Sequence, residues 1–109
     1  MLNQAATRAD WDARAATHYR PSGLANEGFV HCSTPAQLPA TLDRHYRDRD
    51  DLVLLTIDVG ALTGDLIWED TSGRGEAYPH VYGPIPLAAV VGVDALAVDP
   101  GGAMRVCQR

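Results

Sequence analysis

Leu52-Val53-Leu54-Leu55-Thr56-Ile57 is an apolar stretch of strand length, interrupted only by Thr56, with Asp50-Asp51 before it and Asp58 after it. A short continuous run of this kind predicts a central strand with both faces covered. The rest of the chain is read outward from it. On the N-terminal side, Leu38, Leu42 and Tyr46 recur at helical spacing, and Pro35 suits a first helical position behind a cap at Ser33 or Thr34. Arg44, Arg47 and Arg49 near the end of that helix complement its dipole. Residues 28–33 read as a strand entering a turn, and residues 18–27 as a loop punctuated by Pro21 and Gly23. A first helix is expected over about 8–17, capped by Thr7.

On the C-terminal side, residues 65–69 read as a strand and residues 71–75 as a flexible tip. Residues 77–82 are extended because Pro79 forbids helix, and Gly83-Pro84 turns the chain. Residues 90–98 alternate as a strand does, Asp99-Pro100-Gly101-Gly102 is a strong turn, and residues 103–107 return as an edge strand. Five or six strands with two early helices predict an α+β fold whose helices pack on one side of the sheet. The 109 residues suit one domain, with a core over about 6–98 and a tail or edge strand over 99–109.

At 46% hydrophobic and 21% charged, the composition is that of a globular protein. The net charge of -5 argues against a nucleic-acid partner, where cations must neutralise phosphates. Lysine is absent, which excludes a lysine Schiff base and makes every fixed cation an arginine. The start, Met1-Leu2-Asn3-Gln4-Ala5-Ala6, lacks the basic and apolar regions of a signal peptide. A cytoplasmic, reducing setting is therefore expected, with Cys32 and Cys107 as free thiols. No apolar run reaches the roughly 20 residues that span a bilayer.

Chemistry concentrates in residues 28–34 and 68–84. In a strand, Phe29, His31 and Ser33 share one face while Val30 and Cys32 share the other. His31 is then either a ligand-binding or acid–base residue assisted by Ser33 or Thr34, or a core histidine satisfied by backbone beside a capping serine. Trp68 and Glu69 point to opposite faces. Glu69 is a general base or ribose-binding carboxylate with Trp68 as a core plug behind it, or else a solvated edge residue beside Asp70. Tyr78, His80 and Tyr82 alternate on one side of a segment stiffened by Pro79 and Pro84, which makes either a pocket wall or a guarded sheet edge. No metal site is expected, since His31, Glu69 and His80 show no ligand spacing of the HxH, HExxH or CxxC kind. Cys32 faces away from His31 in a strand, which argues against a thiol nucleophile. No dinucleotide fingerprint or phosphate loop is present.

The series Ala9-Asp10-Trp11, Gly28-Phe29-Val30-His31-Cys32-Ser33-Thr34 with Gln37, the 51–58 strand, Trp68-Glu69, Glu76 and Tyr78-Pro79-His80-Val81-Tyr82-Gly83-Pro84-Ile85 resembles the bacterial domain-of-unknown-function family 952, over about residues 6–96. The resemblance implies a fold similar to the ADP-ribosyltransferase superfamily, a split β-sheet around an NAD-binding cleft. Residues 28–33 also look like the His-x-His-x-Ser stretch of the RNA 2′-phosphotransferases, with Phe29 in place of the first histidine. Relatives open with a strand that carries His or Lys where this chain has Gln4. Glu69 and His31 are the catalytic residues so implied, Glu69 (or Glu76) countering the cation that forms as a glycosidic bond breaks. Ser33, Thr34, Trp68, Tyr78, His80 and Tyr82 are the expected ligand-binding residues. The ligand expected is NAD or an NAD-derived small molecule, met as substrate rather than as a tightly held cofactor, with no nucleic acid or membrane partner. A ligand-binding domain without chemistry is the alternative, and a metal-dependent enzyme the third reading.

Overall fold

The computed structural model describes residues 1–47, 49–71, 73–98 and 104–107. Their strands are β1 (Leu2–Thr7), β2 (His18–Tyr19), β3 (Val30–His31), β4 (Leu52–Ile57), β5 (Asp65–Glu69), β6 (Tyr78–Tyr82), β7 (Ile85–Pro86), β8 (Val90–Val98) and β9 (Met104–Cys107). The helices are α1 (Arg8–Asp12), α2 (Ser22–Glu27) and α3 (Leu38–His45). The fold is α+β. A larger antiparallel sheet runs β1-β4-β8-β9, a second runs β3-β6-β5, and β2 pairs with β7.

β4 is the central strand its composition predicts. Val53, Leu55 and Ile57 face one cluster, with Tyr19, Val30, Cys32, Val81 and Ile85, against which Trp11 of α1 and Leu24 of α2 pack. Leu52 and Leu54 face the other, with Leu38 and Leu42 of α3 and Leu96 of β8. Each of these aliphatic side chains contributes roughly 1.5–3 kcal/mol on burial. The helices therefore do not share one side. α3 covers one face of the larger sheet, while α1 and α2 pack on the other, beside the second sheet.

Three boundaries depart from expectation. The first helix stops at Asp12 because no residue of α1 is buried, and helix propensity alone does not sustain so short a segment. Thr7 does cap it, accepting from Asp10 N at 3.0 Å. The 18–27 segment is not a loop: Pro21 stands at the N-cap of α2, and Gly28 closes that helix in the left-handed region at φ 85°. Among the described residues there are thus three α-helices where two are expected. Finally, α3 begins at Leu38, a turn later than Pro35 suggests. Thr34 still starts the turn, its hydroxyl accepting from Gln37 N while Gln37 Oε1 accepts from Thr34 N, a reciprocal capping box.

β1 has a polar sequence in a buried place, and its polar groups are paired. Asn3 Nδ2 donates to Leu55 O at 3.4 Å, and the hydroxyl of fully buried Tyr19 donates to Gln4 Oε1 at 3.3 Å. The 99–102 turn lies outside the described residues; β9, beyond it, pairs with β8 as the expected edge strand. No helix among the described residues is long and apolar enough to cross a membrane.

Candidate functional site

The two larger sheets touch at one rung. Asn3 of β1 and Ser33, just past β3, exchange backbone hydrogen bonds of 2.7 and 2.8 Å. Among the described residues no other rung joins them. Beside this bridge lies a cleft of about 380 Å³, with Asn3 and Ala5 on one wall and His31, Cys32, Ser33, Tyr78 and His80 on the other. Leu38, Thr41, Arg44 and His45 of α3 line it, as do Glu27, Tyr46 and Thr71. A second chamber of about 220 Å³ adjoins it, sharing Ala5, Glu27, His31 and Tyr46 and reaching Gln4, Tyr19 and Phe29.

Strand register assembles the wall. His31 sits opposite His80, and Ile67 opposite His80 on its other side, so alternation places Glu69, Tyr78, His80, Tyr82 and His31 on one face. His80 is 1% exposed. Its ring stacks on Phe29 with centroids 4.2 Å apart and meets His31 edge-on at 4.9 Å. Phe29 thus gives His80 a stacking surface. His80 Nδ1 lies 3.0 Å from Glu69 Oε1, and the Tyr82 hydroxyl donates to the same oxygen at 2.5 Å.

Those contacts set the charges. Tyr82 first, then His80, hold the Glu69 carboxyl below its ordinary range, and the same bond raises the Tyr82 hydroxyl. An ionised Glu69 can only accept, so His80 Nδ1 carries the proton of the bond between them. Nε2 makes no hydrogen bond among the described residues, yet no buried side-chain nitrogen or oxygen there lacks a partner. Nε2 therefore reaches open space, and His80 lines the cleft. Burial pushes the Cys32 thiol up to about 12, which removes it as a nucleophile at neutral pH. Among the described residues no group of three or more His, Cys, Asp and Glu side chains is arranged to hold a metal ion.

The candidate residues divide. His31, Ser33, Tyr78 and His80 line the cleft. His31 Nε2 is bonded to Glu27 Oε2 at 2.9 Å, and Ser33 Oγ donates to Thr41 Oγ1 at 3.1 Å. Glu69 and Tyr82 stand behind His80, and Thr34 is engaged in its capping box. Trp68 is not a core plug: it is 51% exposed, because β5 is the edge strand of its sheet. Glu76, the second carboxylate considered, accepts from Gln37 Nε2 at 3.0 Å, outside the cleft lining. Reading the sequence missed Glu27, Thr41, His45 and Tyr46, and took Arg44 only as a complement to the helix dipole. The i,i+4 spacing of Glu27 and His31 is no signal for their contact, since Gly28 ends the helix between them.

The crystal structure of protein CC0527 from Caulobacter crescentus superposes with a TM-score of 0.83 at 30% identity, covering 95% of this chain and 92% of that one. The solution NMR structure of CC0527 gives a TM-score of 0.77 at 31% identity, covering 94% and 89%. No curated protein matches the chain. The family described as "Protein of unknown function (DUF952)" matches residues 5–93. The chain belongs to the DUF952 family.

Proposed function

We propose that the cleft is a nucleotide site and that the chain is an ADP-ribosyltransferase-like protein acting on NAD or an NAD-derived small molecule. One observation carries this reading: His31, Ser33, Tyr78 and His80 reach a common cleft beside the Asn3–Ser33 rung between the two sheets. The adjoining second chamber makes the site elongated, which suits a ligand with two heads. His31 and Ser33 hydrogen-bond the ligand, and Tyr78 offers a flat surface to a ring. In the reaction, the ribose C1′–N bond breaks with its electron pair leaving on neutral nicotinamide. An acceptor hydroxyl bonds to C1′ and gives its proton to His80 Nε2. Glu69 fixes the His80 tautomer and places a negative charge behind it that favours the imidazolium then formed. A free, buried Cys32 supports the expected cytoplasmic setting.

A second reading has its own observation. Glu69 is held by His80 and Tyr82 and does not line the cleft, which favours a domain that binds a nucleotide without turning it over. Amide-resolved NMR titration with NAD tests both. Shifts clustered on residues 28–34, 41–46 and 78–82 are expected, with nicotinamide appearing in the same tube if the enzyme reading holds. Glu69→Gln should then abolish nicotinamide release while changing the dissociation constant by no more than about threefold, under 1 kcal/mol. Unchanged release would remove Glu69 from the mechanism, and absence of shifts at millimolar NAD would sever the cleft from the nucleotide.

A further inference from the structure

We infer that the cleft takes a polyhydroxylated ligand, a sugar ring or similar polyol, because the side chains on its β-sheet wall offer lone pairs and not protons. The inference rests on reading this cleft as a ligand site and names the class of ligand, whether or not NAD carries it. His31, Ser33, Tyr78 and His80 all line the cleft, and each gives its hydrogen to a neighbour. His80 Nδ1 donates to Glu69 Oε1 at 3.0 Å and His31 Nε2 to Glu27 Oε2 at 2.9 Å, since a carboxylate can only accept. Ser33 Oγ donates to Thr41 Oγ1 at 3.1 Å, and the Tyr78 hydroxyl to Glu76 Oε1 at 3.5 Å. In a neutral imidazole the second nitrogen is an acceptor, so His80 Nε2 and His31 Nδ1 keep their lone pairs. Neither nitrogen has a hydrogen-bond partner among the described residues. His80 weighs most: it is 1% exposed, yet its Nε2 opens on the cleft. An acceptor on a side chain so deeply buried is costly to leave without a donor.

The α3 side of the cleft offers the opposite. Arg44 lines it, its Nη1 donating to the Tyr78 hydroxyl oxygen at 3.5 Å, and its other N–H groups have no partner among the described residues. A ligand lying between must therefore donate toward β3 and β6 and accept toward α3. An ionised carboxylate or phosphodiester has no proton for the first wall. An ammonium has no lone pair for the second, and it meets the charge of Arg44. A carboxamide has both, but brings two N–H groups to four acceptors. A hydroxyl donates and accepts at one oxygen, and the vicinal hydroxyls of a sugar ring supply several such oxygens. At about 380 Å³ the cleft falls at the lower end of small-molecule sites, which span roughly 300–1,000 Å³.

Nitrogen NMR of the histidine rings tests this on the full chain, at about pH 8 where an ordinary imidazole is neutral. His80 should carry its hydrogen on Nδ1 and His31 on Nε2. The His80 Nε2 resonance should then move with D-ribose, which marks a free sugar, or with adenosine alone, which marks a sugar carried on a base. Removing hydroxyls from the ligand that binds, as 2-deoxy-D-ribose or 2′,3′-dideoxyadenosine, should weaken it by about threefold or more. Tyr78→Phe removes one acceptor and should weaken the same ligand by about two- to tenfold. Deoxy forms that bind as tightly as their parents, a His80 hydrogen on Nε2, or no shift with either sugar at tens of millimolar would overturn the inference. So would sulfate or nicotinamide moving the resonance while neither sugar does. A sugar shift without NAD binding keeps the polyol site and removes the NAD reading. NAD binding that leaves the His80 Nε2 resonance in place keeps the NAD reading and removes the polyol site.

Discussion

At the scale of residues, the site turns on one carboxylate oxygen that accepts two hydrogen bonds. Tyr82 and His80 both donate to Glu69 Oε1, which favours the ionised form and lowers its pKa. A lowered folded pKa contributes stability that is present above the ordinary value of 4.5 and is lost as pH falls through the folded one. Asp51, lowered by Arg49, acts in the same direction. Replacing Tyr82 with Phe removes the larger of the two causes on Glu69. Its carboxyl should then titrate higher by carbon-detected NMR, and urea stability should fall less between about pH 5 and pH 3 than in the parent. An unmoved Glu69 titration would mean that the Tyr82 bond does not form. Much of this face is legible in the sequence, since strand alternation alone puts Tyr78, His80 and Tyr82 together. The Glu69–His80 bond is not, because parity does not say which strand pairs with which. Nor does parity say which strand is an edge, and so Trp68 reads as core when it is exposed.

At the scale of elements, glycines and caps decide where helices end and how closely strands approach. Gly28 has φ 85°, and a Cβ added to it would meet nothing within 4 Å, so Gly28→Ala meets only backbone strain, costing about 1–2 kcal/mol. Gly64 has an ordinary φ, but a Cβ there would lie 2.6 Å from the carbonyl oxygen of Tyr82. Gly64→Ala must therefore move the backbone where β5 enters its pairing with β6, and should cost more than Gly28→Ala, roughly 3 kcal/mol. Urea unfolding of the two variants ranks them, and the reverse order would show that the β5 entry gives way easily. The same elements show what short-range patterns miss. Pro21 and Gly23 read as loop signals, yet a proline just before a helix and a left-handed Gly28 just after one are also the marks of a short helix. α2 lacks any buried residue, so no apolar stripe announces it.

At the scale of the whole molecule, β4 belongs to two cores at once, and this is the part of the fold that its sequence displays most openly. The neighbour it pairs with on one side is hidden, because Asn3 and Gln4 give β1 no apolar pattern; only the family resemblance points to a strand there. Sharing one strand has a consequence for cooperativity. Leu55→Ala empties space in the cluster that holds Tyr19 and Val81, and Leu54→Ala does so in the cluster under α3. Each should cost about 2–5 kcal/mol, although the two side chains lie on opposite faces of the sheet. Because neither core survives without β4, the chain should unfold as one unit. Trp11 reports on the first cluster through its edge contact with Tyr19 at 5.5 Å, and in a Trp68→Phe background it is the sole tryptophan. Its fluorescence and the far-ultraviolet circular dichroism should therefore follow a single urea transition in the parent and in both variants. If Leu54→Ala shifted the dichroism midpoint but left the Trp11 midpoint in place, the cores would be separable, and sharing β4 would not couple the two clusters.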